Sequence, residues 1–142
     1  MTTVFDVKPN DLLKVAAVKL REIGLPEPAY VKLVKTGPQA DRAPSQPDFW
    51  YIRCASLLRQ VYVNEGQGVG VARLRTHYGG RQNNGSASEH HRDSGGSIIR
   101  RGFQALEKLG LVEHKKTGRI ITAKGKKLLD SAAQEAAKGK AA

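Results

Sequence analysis

Residues 95–122 read GGSIIRRGFQALEKLGLVEHKKTGRIIT, and the order of elements in this stretch decides the fold. Ile99, Phe103, Leu106 and then Leu109 or Gly110 recur at three- and four-residue spacing, which predicts one apolar face of a helix over 95–109. Arg100, Arg101, Gln104 and Lys108 fall on its opposite face as one basic stripe. Gly110 stops the helix, Leu111-Val112-Glu113-His114 leads out, Lys115-Lys116-Thr117-Gly118 turns, and Arg119-Ile120-Ile121-Thr122 returns. Two short β-prone runs around a Gly-containing turn predict a hairpin over 111–122. A further helix is expected after Thr122, packing through Leu128, Leu129, Ala132 and Ala133, with a frayed tail over 137–142.

Upstream, Trp50, Cys54, Leu57 or Leu58, and Val61 form the apolar stripe of a helix over 48–64, with Asp48 as its cap and Arg53, Ser56, Arg59 and Gln60 on the other side. Gly66, Gly68 and Gly70 punctuate a short extended piece, and a brief helix is predicted over 71–78. Residues 79–94 have no hydrophobic period and are expected to form a long functional loop. At the N-terminal end, Asn10 is expected to cap a helix buried through Leu13, Ala16, Leu20 and Ile23. A second short helix is predicted from Pro28 through Tyr30, Leu33 and Val34, followed by a surface loop over 37–47.

Helix, short helix, basic helix, hairpin, helix is the order of a winged helix-turn-helix. The expected fold is therefore mainly α: one winged-helix domain over 1–142, with N-terminal helices in 1–36, the helix-turn-helix with its inserted loop in 48–110, the β-hairpin wing in 111–122 and a C-terminal helix in 123–142.

Charge indicates the partner. The chain of 142 residues carries 24 Lys and Arg against 13 Asp and Glu, a formal +11, and residues 67–142 supply +9 of it. Such a balance suits a polyanion. No apolar run is long enough to span a membrane, and no membrane partner is expected. A single cysteine, Cys54, excludes an intramolecular disulfide and fits a reducing compartment, so the expected location is cytoplasmic. DNA-reading helix-turn-helix proteins join their two helices by three or four residues. Sixteen residues separate them here, which would crowd a duplex groove but can follow folded RNA. A winged-helix transcription regulator remains the alternative.

Ser94-Gly95-Gly96-Ser97 opens the basic helix either as an anion cradle of free backbone N–H groups or as a plain cap. Arg100 and Arg101 just beyond it favour phosphate. Tyr78 either stacks on a base or plugs the core. His90, His91 and Asp93 lack the spacing of a metal or acid–base site, and Gly66, Gly68 and Gly70 lack a nucleotide-loop signature. No catalysis and no cofactor are expected.

Along nearly the whole chain the sequence resembles the small-subunit ribosomal protein nineteen-e family of archaea and eukaryotes. The resemblance rests on Asp6-Val7, Trp50-Tyr51-Ile52-Arg53 with Ala55-Ser56, Gly68-Val69-Gly70-Val71, Leu74 and Tyr78-Gly79-Gly80-Arg81. It continues through Asn84-Gly85, Ser94-Gly95, Arg100-Arg101, Gln104-Ala105-Leu106-Glu107, Gly118-Arg119, Ile121-Thr122 and Gly125. Residues 82–92 look archaeal in style. The resemblance implies a winged-helix protein in the head of the small subunit, free as a monomer, that contacts ribosomal RNA and neighbouring proteins and helps the subunit mature. It associates positions matching Arg53, Arg59, Arg81, Arg100 and Arg101 with RNA contact or assembly. With Tyr78, Ser94, Gly95, Gly96, Ser97 and the hairpin residues Lys115, Lys116 and Arg119, these make up the expected RNA-binding set.

Overall fold

A computed structural model describes residues 1–141, with side chains through Gly139. The helix α1 (Pro9–Ile23) starts at a proline whose missing N–H is one the first turn leaves unbonded anyway. It ends at Gly24, whose left-handed backbone (φ 90°) lets its N–H donate to the Leu20 and Arg21 carbonyls. Asn10 therefore lies inside the helix and does not cap it. The buried face is Leu12, Ala16, Ala17 and Leu20, while Leu13 is half-buried and Ile23 is exposed. This is a rotation from the expected stripe, because α1 is wedged between two later helices and buries the arc between them. The second predicted helix is only a 3-10 turn, Ala29–Lys32. Val31 is its buried anchor and Leu33 is 82% exposed, too little burial to offset the cost of nucleating a longer helix.

In α2 (Phe49–Val63) the stripe Trp50, Cys54, Leu57, Leu58 and Val61 is buried, as its spacing predicts. The Trp50 Nε1–H donates to the Pro26 carbonyl at 2.8 Å, so the indole is buried with its polar atom satisfied. Next come α3 (Val71–Tyr78), α4 (Gly96–Lys108), the strands β3 (Val112–Lys115) and β4 (Gly118–Ile121), and α5 (Ala123–Ala141). Helix α5 buries Leu129, Ala132, Ala133 and Ala136, with Leu128 at its edge. It runs to Ala141, and residue 142, the last of the tail expected to fray, lies outside the described part.

The wing is tied to the body by an antiparallel bridge between Val69 and Arg119, which acts as a third strand. Gly118 makes this approach possible. Its φ is 126°, and a Cβ there would stand 2.9 Å from the backbone N, C and O of Val69. We expect Gly118→Ala to lower stability by about 2 kcal/mol or more, from left-handed strain plus displacement of the bridge. Chemical denaturation checks this, and an unshifted midpoint would contradict it.

The segment 79–94 is not an irregular loop. It folds into a second antiparallel hairpin, β1 (Gly80–Asn84) with β2 (Ala87–Arg92), turning at Gly85 with φ 72°. Every residue of β2 is exposed, so no apolar face exists to leave a period of two in the sequence. The hairpin thus stands as an insertion between α3 and α4, the middle and last helices of the helix-turn-helix.

At the opposite end of α2, the Tyr62 hydroxyl donates to Asp130 Oδ1 at 2.9 Å. Burial, this bond and the negative charges of Asp130, Glu65 and Asp6 push the phenol up from 10.0 to about 12. A raised folded-state pKa contributes stability that is whole below the unfolded value of about 10 and is lost as pH climbs towards 12. Alkaline difference absorbance should show Tyr62 ionising near pH 12, and Tyr62→Phe should reduce the late-ionising absorbance by one tyrosine.

Candidate nucleic-acid interface

Helix α4 buries Ile98, Ile99, Gly102, Phe103, Ala105 and Leu106. The missing side chain at Gly102 is what seats it, because a Cβ there would come within 2.5 Å of Leu57 Cδ1 on α2. This close approach turns Ser97, Arg100, Arg101, Gln104 and Lys108 outward, and all five are exposed. Among the described residues no carboxylate pairs with Arg100 or Arg101. The β1–β2 hairpin ends just before α4 begins, and the wing starts just after it ends. A helix of 13 residues is about 20 Å long. Exposed Arg81 on the hairpin, the α4 stripe, and exposed Lys115 and Lys116 on the wing are thus cations of three successive elements, with α4 in the middle.

At the start of α4 the Ser94 side chain makes no cap bond, and not all of the backbone N–H groups there are free. Ser94 is only 2% exposed, and both of its backbone groups are taken by Arg75: its N–H donates to the Arg75 carbonyl and its carbonyl accepts Arg75 Nε, each at 3.0 Å. The Gly95 N–H donates to the Thr36 carbonyl at 2.7 Å. Ser94 and Gly95 are therefore used to lock the helix start onto α3 and the 36–40 segment, leaving Gly96 and the exposed Ser97 at its outer end. Arg75 lies against Gly96, where a Cβ would be 3.2 Å from its Cδ. Sequence reasoning missed Arg75, since nothing local links it to a residue nineteen positions away.

Tyr78 is held as a plug. Its hydroxyl shares a hydrogen bond of 2.6 Å with Ser56 Oγ, and its ring lies under the Arg53 guanidinium, 4.1 Å from carbon to centroid. Arg53 also faces the Phe49 ring at 5.2 Å. Burial raises the Tyr78 phenol pKa and lowers that of the Arg53 guanidinium. Arg59 acts electrostatically on the same phenol, and its Nε is buried without a hydrogen-bond partner. Neither Arg53 nor Arg59 has an ion-pair partner among the described residues. Two guanidiniums thus sit half-buried at the α2–α3 junction without a countercharge, an arrangement that an incoming anion would relieve.

Arg119 is different again. Its Nε donates to Glu107 Oε1 at 3.2 Å and its guanidinium lies 5.2 Å from the Phe103 ring centroid, so it braces the wing against α4. The expected set therefore divides four ways: Arg81, Ser97, Arg100, Arg101, Lys115 and Lys116 are exposed; Arg53, Arg59 and Tyr78 form a half-buried cluster; Ser94, Gly95 and Arg119 are engaged internally; and Gly96 is half-buried against Arg75.

His91 Nδ1 lies 3.9 Å from Asp93 Oδ1, and no group of three metal-ligating side chains occurs among the described residues. No described helix is long and apolar enough to cross a membrane.

The family model described as ribosomal protein S19e matches residues 3–139, through every element of this winged helix. The chain belongs to the ribosomal protein S19e family. Small ribosomal subunit protein eS19 of Aeropyrum pernix is 42% identical over 138 residues, covering 95% of this chain and 90% of its own. The protein of that name from Oryza sativa subsp. japonica is 40% identical over 133 residues, covering 92% and 90%. Small ribosomal subunit protein eS19B of Schizosaccharomyces pombe is 38% identical over 130 residues, covering 90% of each. The ribosomal protein S19e family is one of ribosomal structural proteins and not an enzyme family.

Proposed function

We propose that this protein is a structural constituent of the small ribosomal subunit, placed in its head, that binds ribosomal RNA and supports maturation of the subunit. The observation that carries the RNA contact is the exposed arginine stripe of α4, which has no ion pair among the described residues and is flanked in the chain by exposed cations of the hairpin and the wing. Cationic side chains free of internal carboxylates keep their charge for phosphate oxygens, and arginine's planar fork can grip two of them. Arg53 and Arg59 make a second contact, where RNA phosphate supplies the missing countercharge. Placement in the head, the role in maturation and neighbouring small-subunit proteins as partners are proposed on the strength of the family likeness. In this reading the protein works in the cytoplasm, is a monomer before assembly, and needs no cofactor and no catalytic step.

Co-sedimentation with small subunits at raised salt, set beside binding to a random DNA duplex, tests the proposal. Retention on subunits with weak, salt-labile duplex binding is the expected result. A dimer that footprints one specific duplex, with no retention on subunits, would replace the proposal by a winged-helix transcription regulator.

A further inference from the structure

On a chain carrying +11, the corner where the N-terminal turn meets the end of α2 gathers three carboxylates, Asp6, Glu65 and Asp130, against two cations, Lys126 bonded to Glu65 and the N-terminal amine acting on Asp6. Phe5, in the 3-10 turn Val4–Asp6, is 67% exposed, with its ring 5.9 Å from that of Tyr62, centroid to centroid. Val63, next to Tyr62, is 40% exposed. The turn that presents Phe5 is closed firmly: the Thr3 N–H and hydroxyl donate to Asp6 Oδ2 at 2.7 and 2.9 Å, and the Asp6 N–H donates to the Thr3 carbonyl at 3.1 Å. Its neighbour Val4 is 1% exposed, so the segment is anchored in the core while Phe5 is held out in water. The turn thus fixes a large aromatic side chain in water beside a second ring, a grouped apolar surface and not a lone exposed residue.

The charges around this aromatic pair identify what can cover it. Asp130 accepts the Tyr62 hydroxyl, Glu65 follows at the end of the helix in a bond with Lys126, and Asp6 closes the turn. The charges that act on the Tyr62 hydroxyl, from Asp130, Glu65 and Asp6, are all negative. A nucleic acid stacking a base on Phe5 would bring its phosphates against these carboxylates. A cationic side chain gains from both features, since its charge meets the carboxylates while its stem or guanidinium plane lies on the rings. We infer that the corner formed by Phe5, Tyr62 and Val63, edged by Asp6, Glu65 and Asp130, docks an extended Lys/Arg-rich segment of another protein. This surface is separate from the α4 stripe, and the inference stands whether or not that stripe binds RNA.

The test is an NMR titration of the isotope-labelled full chain with a short Arg/Lys/Gly peptide, with a Glu/Gly peptide of equal length as the contrast. The basic peptide should shift amides in 3–7, 61–65 and 126–130 and leave those of α4 in place, and the acidic peptide should shift none. Phe5→Ala changes an exposed side chain, so it should keep its unfolding midpoint and bind the basic peptide about tenfold more weakly. Glu65→Gln, which keeps an acceptor for Lys126, should weaken it by about threefold. The inference is overturned by unchanged binding in both variants, by shifts elsewhere or none, by equal response to the acidic peptide, or by a single-stranded RNA that shifts this corner. Loss of RNA affinity in α4 variants changes none of these readouts, so the two proposals fail separately.

Discussion

Trp50→Ala is expected to destabilise the protein by about 3–5 kcal/mol, the range for deleting a buried aromatic side chain and leaving part of its cavity. The indole is 1% exposed and its Nε1–H satisfies the Pro26 carbonyl. It also lies beneath the α2–α4 contact, where a Cβ on Gly102 would stand 3.9 Å from its Cη2. Alanine removes two things together: packing under α4 and the hydrogen bond that ties the indole to the 26–28 turn. For a chain of this size, each kcal/mol lowers the melting temperature by roughly 2–4 °C, so the midpoint should fall by about 10 °C. Urea denaturation and thermal unfolding check this. Any loss of RNA affinity should follow the unfolded fraction and disappear where the variant is still folded. An unshifted midpoint would put the ring outside the core.

The double substitution Arg100→Ala, Arg101→Ala should do the reverse. Both side chains are exposed and without ion pairs among the described residues, so stability should change by no more than about 0.5 kcal/mol. Affinity for small-subunit RNA should fall by roughly 10- to 100-fold, because a phosphate that the protein no longer neutralises keeps its condensed counterions. The slope of log affinity against log salt should flatten by about one for each arginine removed. An unchanged slope would assign the phosphates to other side chains. Arg119→Ala is the informative contrast, since a residue spent on Glu107 and Phe103 should cost stability and leave the slope almost intact.

The parts of this structure that were legible in the sequence are those where burial imposes a period. Ile99, Phe103 and Leu106 placed α4 and, by exclusion, its basic stripe, and Gly118 placed the wing turn, because a turn there needs a backbone that side chains resist. The same reasoning misplaced the buried arc of α1, since Leu12 and Leu13 serve two adjacent stripes equally well and only the helices packed on both sides choose between them. It could not see β1 and β2, whose residues are polar and almost all exposed; Asn84-Gly85 was the sole local hint of a hairpin turn. The clasp of Arg75 on Ser94 and the brace of Arg119 on Glu107 were invisible for a further reason. A cation's identity does not reveal whether its partner is an internal group or an external anion, and that depends on how distant segments pack together.

The central claim is that the exposed cations of the hairpin, α4 and the wing are the face turned to RNA. Cross-linking the protein to RNA within assembled small subunits and mapping the attached peptides measures this directly. The account predicts attachment in residues 81–92, along the Ser97, Arg100, Arg101 and Gln104 side of α4, and at Lys115 and Lys116. Attachment confined to α1, α5 and the Phe5–Tyr62 corner, with α4 free of RNA, would contradict it.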